Sequence, residues 1–140
     1  YFYNAGAYFY FLEQCCAAGI SAPIVPGIMP IINAENLARF SNACGAEIPR
    51  WLGKRLAGFG EDSEGLREFG VEVVTSLCQR LLAGGAPGLH FYSMNQAASV
   101  SQIWRNLGLD QRSAVKTGTG ANKANKSEPI AASSLNVGQY

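Results

Sequence analysis

The sequence predicts an α/β fold, the C-terminal portion (about three βα units) of an eight-stranded (βα)8 TIM barrel. Three observations lead there. Short apolar runs alternate along the chain with amphipathic helical segments. Each return connection is long enough to hold a helix, which favours parallel pairing through right-handed crossovers. Three such strands leave two open sheet edges and cannot hide all the apolar surface on their helices. A complete barrel takes about 250 residues, whereas this chain has 140.

The first apolar run, Tyr1-Phe2-Tyr3, reads as the end of a buried strand, and Asn4 suits the N-cap of the helix after it. That helix is expected from about Ala5 to Ala18, with Tyr8, Phe11, Leu12 and Cys15 on one face and Gly19 as its left-handed stop. The segment from Ala22 to Pro30 is apolar on successive residues, as in a strand covered on both faces, and Pro26-Gly27 is expected to end it. Asn33 can cap a second helix running through Cys44, where Gly45 stops it. Pro49 suits the first turn of a third helix, to about Ala57, because its missing N–H costs little there.

Asp62 and Ser63 open the longest helix, with acidic residues near its positive dipole end and Leu66, Phe69, Val73, Leu77 and Leu81 as the buried stripe. The Gly84 to Gly88 turn leads into a third strand, Leu89 to Tyr92. A last helix, about Ala97 to Leu107, carries Val100, Ile103, Trp104 and Leu107. Residues 1–109 therefore form the partial-barrel domain. Residues 110–140, rich in Ser, Ala, Gly, Asn and Lys without periodicity, are expected to be a disordered tail.

Composition narrows the function classes. The chain is 48% hydrophobic and 15% charged, enough apolar material for one core. Eleven basic against ten acidic side chains leave a net charge of +1, so nothing favours nucleic acid or an anionic membrane surface as a partner. Prolines and glycines interrupt the two longest uncharged stretches before either reaches the length of a spanning helix. Tyr1-Phe2-Tyr3 lacks a basic leader and an initiator methionine, so the segment is expected to begin inside something larger. Cys15, Cys16, Cys44 and Cys78 make no C-x-x-C pair, which favours a reduced, intracellular chain and no metal site.

The candidate catalytic groups have simpler explanations. His90 stands in a strand without a nucleophile motif to serve. Glu61, Asp62 and Glu64 fit a solvated helix start, and Arg50, Lys54 and Arg55 a solvated helix face. Gly118-Thr119-Gly120 lacks the strand-to-helix setting of a phosphate loop. Strand ends say more, because parallel α/β folds gather ligands at the C-terminal ends of their strands. There Asn36 and Gln96 offer amide donors and acceptors, and Phe40 and Tyr92 flat apolar faces. Such a set suits a planar ligand with polar edges.

Several runs together resemble the methylenetetrahydrofolate reductase family. They are Pro26-Gly27-Ile28-Met29-Pro30, then Asn33 and Phe40, Ile48-Pro49-Arg50-Trp51, Phe69-Gly70-Val71-Glu72, and Gly88-Leu89-His90-Phe91-Tyr92-Ser93-Met94-Asn95-Gln96. The resemblance spans Tyr1 to about Leu109 and implies a cytoplasmic, flavin-dependent barrel. Such an enzyme reduces 5,10-methylenetetrahydrofolate to 5-methyltetrahydrofolate with NADH or NADPH through FAD, in one-carbon and methionine metabolism, and is a homo-oligomer when complete. It also implies that the catalytic glutamate and most FAD contacts come from earlier strands. On this reading the chain carries no catalytic residue and is inactive alone.

Substrate-binding positions follow by the same resemblance. Asn36 occupies a substrate contact that is often glutamine, Phe40 matches the aromatic that packs on folate or nicotinamide, and Tyr92 walls the pocket. Gln96 matches a position that in some members is arginine, so it keeps a polar contact without charge assistance. A different class of reading is a truncated, non-catalytic chain whose open sheet edges serve as an assembly or binding module.

Overall fold

The computed structural model describes residues 1–110. Seven elements run in the order α1 (Ala5–Ala17), β1 (Gly27–Ile28), α2 (Ala34–Cys44), α3 (Arg50–Ala57), α4 (Ser63–Ala83), β2 (His90–Phe91) and α5 (Ala97–Asn106). The result is a helix-dominated α/β arrangement around a small parallel sheet. The expected tail lies outside the described residues, apart from Asp110.

Local chemistry accounts for the helix boundaries. The side chains of Asn4, Asn33 and Asp62 accept hydrogen bonds from the amides of Gly6, Asn36 and Gly65 at 3.0, 2.9 and 2.9 Å, satisfying one orphan donor at each helix start. At the other end of α2, Gly45 adopts φ +67° and Ala46 N–H returns to the Ser41 carbonyl, a left-handed stop that a Cβ would strain. Pro49 precedes α3 without a side-chain cap.

The strands are shorter than expected. β1 and β2 pair in parallel with Gly27 opposite His90 and Ile28 opposite Phe91. Their ladder includes His90 N–H to the Pro26 carbonyl at 3.0 Å and Tyr92 N–H to the Ile28 carbonyl at 2.9 Å. Pro26-Gly27 therefore opens the paired stretch instead of ending it, because a proline carbonyl can still accept although Pro23 and Pro26 have no N–H to give. The Ala22–Val25 portion stays outside the ladder.

Tyr1–Tyr3 is not a strand among the described residues. Side chains hold this stretch in place: Tyr3 Oη donates to the Met29 carbonyl at 3.1 Å, and Tyr1 Oη shares a hydrogen bond with Ser41 Oγ at 2.9 Å. An extended apolar segment becomes a strand only when a neighbour supplies a backbone ladder, and here phenol groups take that place.

Helix α4 is central and packs against both α1 and α5. Its buried residues are Leu66, Gly70, Val74, Thr75, Leu77, Cys78 and Leu81; Leu66, Leu77 and Leu81 of the expected stripe are among them, and the middle of the seam is rotated from it. Phe69 and Val73 lie on its flank, half-buried. Phe69 meets the Phe59 ring at 5.4 Å between centroids, with the Arg55 guanidinium over its face at 5.1 Å. Small residues explain the rotation. At Gly70 an added Cβ would run into the Ile31 carbonyl oxygen, so the helix backbone seats directly on the chain leaving β1. Phe11, placed on one face with the buried Tyr8 and Cys15, and Trp104 of the last helix are 54% and 40% exposed. Ile28, Ile31, Leu52, Val74, Cys78, Leu81 and Ile103 form the fully buried centre.

Candidate functional site at the strand ends

Beyond the C-terminal ends of the parallel pair, the chain from β1 enters α2 and the chain from β2 enters α5. A cavity of about 280 Å³ lies between these two exits. It is lined by Met29, Pro30, Ile32, Asn33, Asn36, Leu37, Arg39, Phe40, Met94 and Gln96. Three of the four residues singled out in the sequence, Asn36, Phe40 and Gln96, thus meet in one place.

Each is placed by its backbone. Asn33 caps α2, which fixes Asn36 in the first turn with its own amide bonded to Asn33 Oδ1 at 2.9 Å. Phe40 follows one helical turn later on the same face. Gln96 occupies the N-cap of α5 and makes no side-chain cap bond, since its extra methylene suits it poorly to the role that Ser, Thr, Asp and Asn fill. It lines the cavity. Just before it, Met94 and Asn95 take positive φ values of 49° and 60°. Two successive left-handed non-glycine residues store backbone strain at the point where the chain turns from β2 into α5.

Tyr92 stands apart from that group and is not among the cavity's lining residues. Its ring lies across Gly27 of the neighbouring strand, where an added Cβ would come within 2.7 Å of the ring, and it meets the His90 ring edge-on at 5.2 Å. The tyrosine needs that glycine, because any side chain there would lift it from the sheet. His90 is solvent-exposed at the start of β2.

The geometry adds two residues that sequence reasoning passed over. Arg39 lines the cavity, its Nη2 donating to Asn36 Oδ1 at 3.1 Å and its guanidinium 5.8 Å from the Phe40 ring centre. The signal was its position, three residues after Asn36 and adjacent to Phe40. Met94 is the other. It was legible only as part of the stretch holding Gln96.

A larger cavity, about 700 Å³, lies between α4 and α5 and is lined by residues such as Glu68, Glu72, Thr75, Gln102 and Asn106. It is a crease between two packed helices, partly bridged by the 3.5 Å contact from Asn106 Nδ2 to Thr75 Oγ1. The strand-end cavity has the stronger functional claim, because it lies where loops and helix starts from two strands converge. No group of His, Cys, Asp and Glu side chains among the described residues could hold a metal ion. No helix among them is long and apolar enough to cross a membrane.

Comparison with known proteins reaches the same region of the chain. A family model described as methylenetetrahydrofolate reductase matches residues 1–108. A relative from Schizosaccharomyces pombe, methylenetetrahydrofolate reductase 1, is 39% identical over 108 residues, covering 77% of this chain and 18% of that protein. Methylenetetrahydrofolate reductase (NADH) 1 from Zea mays is 36% identical over 114 residues, covering 81% of this chain and 19% of its own length. A probable methylenetetrahydrofolate reductase (NADPH) from Caenorhabditis elegans is 36% identical over 109 residues, covering 77% and 16%. The chain therefore spans less than a fifth of each of these three relatives.

Proposed function

Because the chain belongs to the methylenetetrahydrofolate reductase family, we propose that it forms one wall of a folate and pyridine-nucleotide site. The complete enzyme would be a cytoplasmic (βα)8 barrel that reduces 5,10-methylenetetrahydrofolate to 5-methyltetrahydrofolate with NADH or NADPH. Supporting this reading is the convergence of Asn36, Phe40 and Gln96, from two separate helix starts, on one cavity at the ends of parallel strands.

In that role each side chain has a defined task. Phe40 presents a flat face to a planar ring system, and stacking there adds to the apolar area it removes from water. Asn36 and Gln96 meet the ring's polar edge, where amides discriminate by leaving an unpaired partner when the wrong atom arrives. The two amides orient and the phenylalanine excludes water from one side of the ligand.

FAD, when bound, supplies the two-electron carrier between pyridine nucleotide and folate. The described residues do not by themselves fit it. The strand-end cavity falls just below the volumes that hold even a drug-sized ligand. The catalytic glutamate and the flavin contacts are accordingly proposed to come from βα units other than these, and no residue of this chain is assigned to them. The open edges of the two-stranded sheet favour a related second reading, in which pairing with those units is the chain's own contribution.

Joining the chain to the remaining βα units tests the proposal. The chain alone should neither retain FAD, read by flavin absorbance and fluorescence, nor oxidise NAD(P)H, and the joined protein should do both. Flavin binding with NAD(P)H oxidation by the chain alone would refute it.

A further inference from the structure

Among the residues lining the strand-end cavity, Arg39 is the only one with a charged side chain. Its partners among the described residues are the Asn36 side chain and the Phe40 ring, with no carboxylate among them. The bond from Arg39 Nη2 to Asn36 Oδ1 has a consequence for what the cavity can bind. An asparagine amide has one oxygen to accept and an NH2 to donate, while a guanidinium has only donors. With the oxygen turned toward Arg39, the pair presents mainly N–H groups and a positive charge. The complement is a negatively charged group that only accepts.

The Phe40 ring lies directly beside this donor pair, so the anion that fits best is one attached to a flat ring. A carboxylate matches the planar guanidinium fork in two parallel hydrogen bonds. The volume, about 280 Å³, suits a ring and its acid, and falls short of a whole dinucleotide. Gln96, across the same cavity, adds neutral hydrogen bonds and no charge.

We propose that Arg39 is the anion anchor of this cavity, holding a carboxylate of the substrate while the ring that carries it lies on Phe40. This assignment rests on the folate reading above, since a folate carries a glutamyl carboxylate next to a benzoyl ring. Arg39 thereby determines specificity for the acid form of the ligand.

The test uses the full chain and three probes: p-aminobenzoyl-L-glutamate, its uncharged diamide, and inorganic pyrophosphate. Binding is followed through the backbone amide resonances of Asn36, Arg39, Phe40 and Gln96, with the remaining α2 resonances reporting that the helix is intact. The diacid should bind about tenfold or more tightly than the diamide, as expected of charge-assisted hydrogen bonds. Arg39→Gln should bring the diacid down to the diamide's affinity without changing the latter, and Arg39→Lys should keep part of the preference. Equal affinity for the two benzoyl probes, or an undiminished preference in Arg39→Gln, overturns the anchor while leaving a ring site in place. Tighter binding of pyrophosphate than of the diacid overturns the carboxylate assignment in favour of a phosphate. If neither benzoyl probe moves the four resonances, the folate reading of the cavity fails and the anchor with it.

Discussion

The seam of α4 and the cavity at the strand ends share one stretch of chain, which serves them in opposite ways. From Gly27 to Phe40, Ile28, Ile31 and Leu37 turn inward and are almost fully buried, while Asn36, Arg39 and Phe40 turn out toward the cavity. The seam is mainly apolar, seated closely at Gly70, and carries no charged residue among its buried positions. The cavity is amide-rich, cationic and bordered by the strained pair Met94 and Asn95. The contrast teaches that packing and the proposed recognition are divided by helix face: the buried face seats α2 on the core, and the exposed face leaves its side chains to the cavity.

Substitutions can test that division from the core outward. Leu81 is fully buried, so Leu81→Ala should cost about 2–5 kcal/mol of unfolding free energy, through lost transfer energy and the cavity left behind. The shift in urea midpoint measures it. Gly70→Ala should cost about 1–3 kcal/mol, because the new methyl meets the Ile31 backbone, which cannot rotate away as a side chain could. Since Ile31 leads directly to the Asn33 cap, the same variant should also move the amide resonances of Asn36 and Phe40. A loss of stability with those resonances unmoved would show that the seam does not position the cavity.

Alkali probes the seam by another route. Burial pushes the Cys78 thiol up to about 12, and burial, with a smaller contribution from neighbouring Tyr1, raises the Tyr3 phenol. An unfolded thiol ionises near pH 8.5, roughly. Above that pH the unfolded state releases a proton that the folded state retains, so the stability is intact below it and is lost as pH rises toward 12. Denaturant midpoints measured up that range should fall, and Cys78→Ala should flatten the fall. An equally steep decline in the variant would remove Cys78 as its cause.

Much of this architecture was legible in the residues because its helix boundaries depend on local chemistry. Asn4, Asn33 and Asp62 announce caps that form as expected, and Gly45 announces a left-handed stop. Strand limits depend on a partner, which a single sequence does not display. Tyr1–Tyr3 has the apolar character of a strand yet is anchored by phenol hydrogen bonds, and the ladder begins at Gly27, beyond the expected stop. The seam of α4 was anticipated at Leu66, Leu77 and Leu81 and missed between them for a related reason. Helical spacing weights large residues, whereas Gly70, which has no side chain, marks a close approach of the backbone to Ile31.

At the cavity, Asn36, Phe40 and Gln96 could be anticipated because strand-end position and side-chain type both pointed to them. Tyr92 shared those attributes but was drawn to the space above Gly27. Arg39 was missed because a lone cation on an amphipathic helix reads as solvated surface. Only the hydrogen bond to Asn36 gives it a direction.

Gln96 offers the most direct test of the substrate wall, because it is exposed, caps nothing through its side chain and faces the cavity. In the enzyme assembled with its remaining βα units, Gln96→Ala should leave unfolding free energy within about 0.5 kcal/mol of the parent. The KM for methylenetetrahydrofolate should rise while the FAD content of the purified protein stays the same. Loss of FAD with an unchanged folate KM would contradict the account.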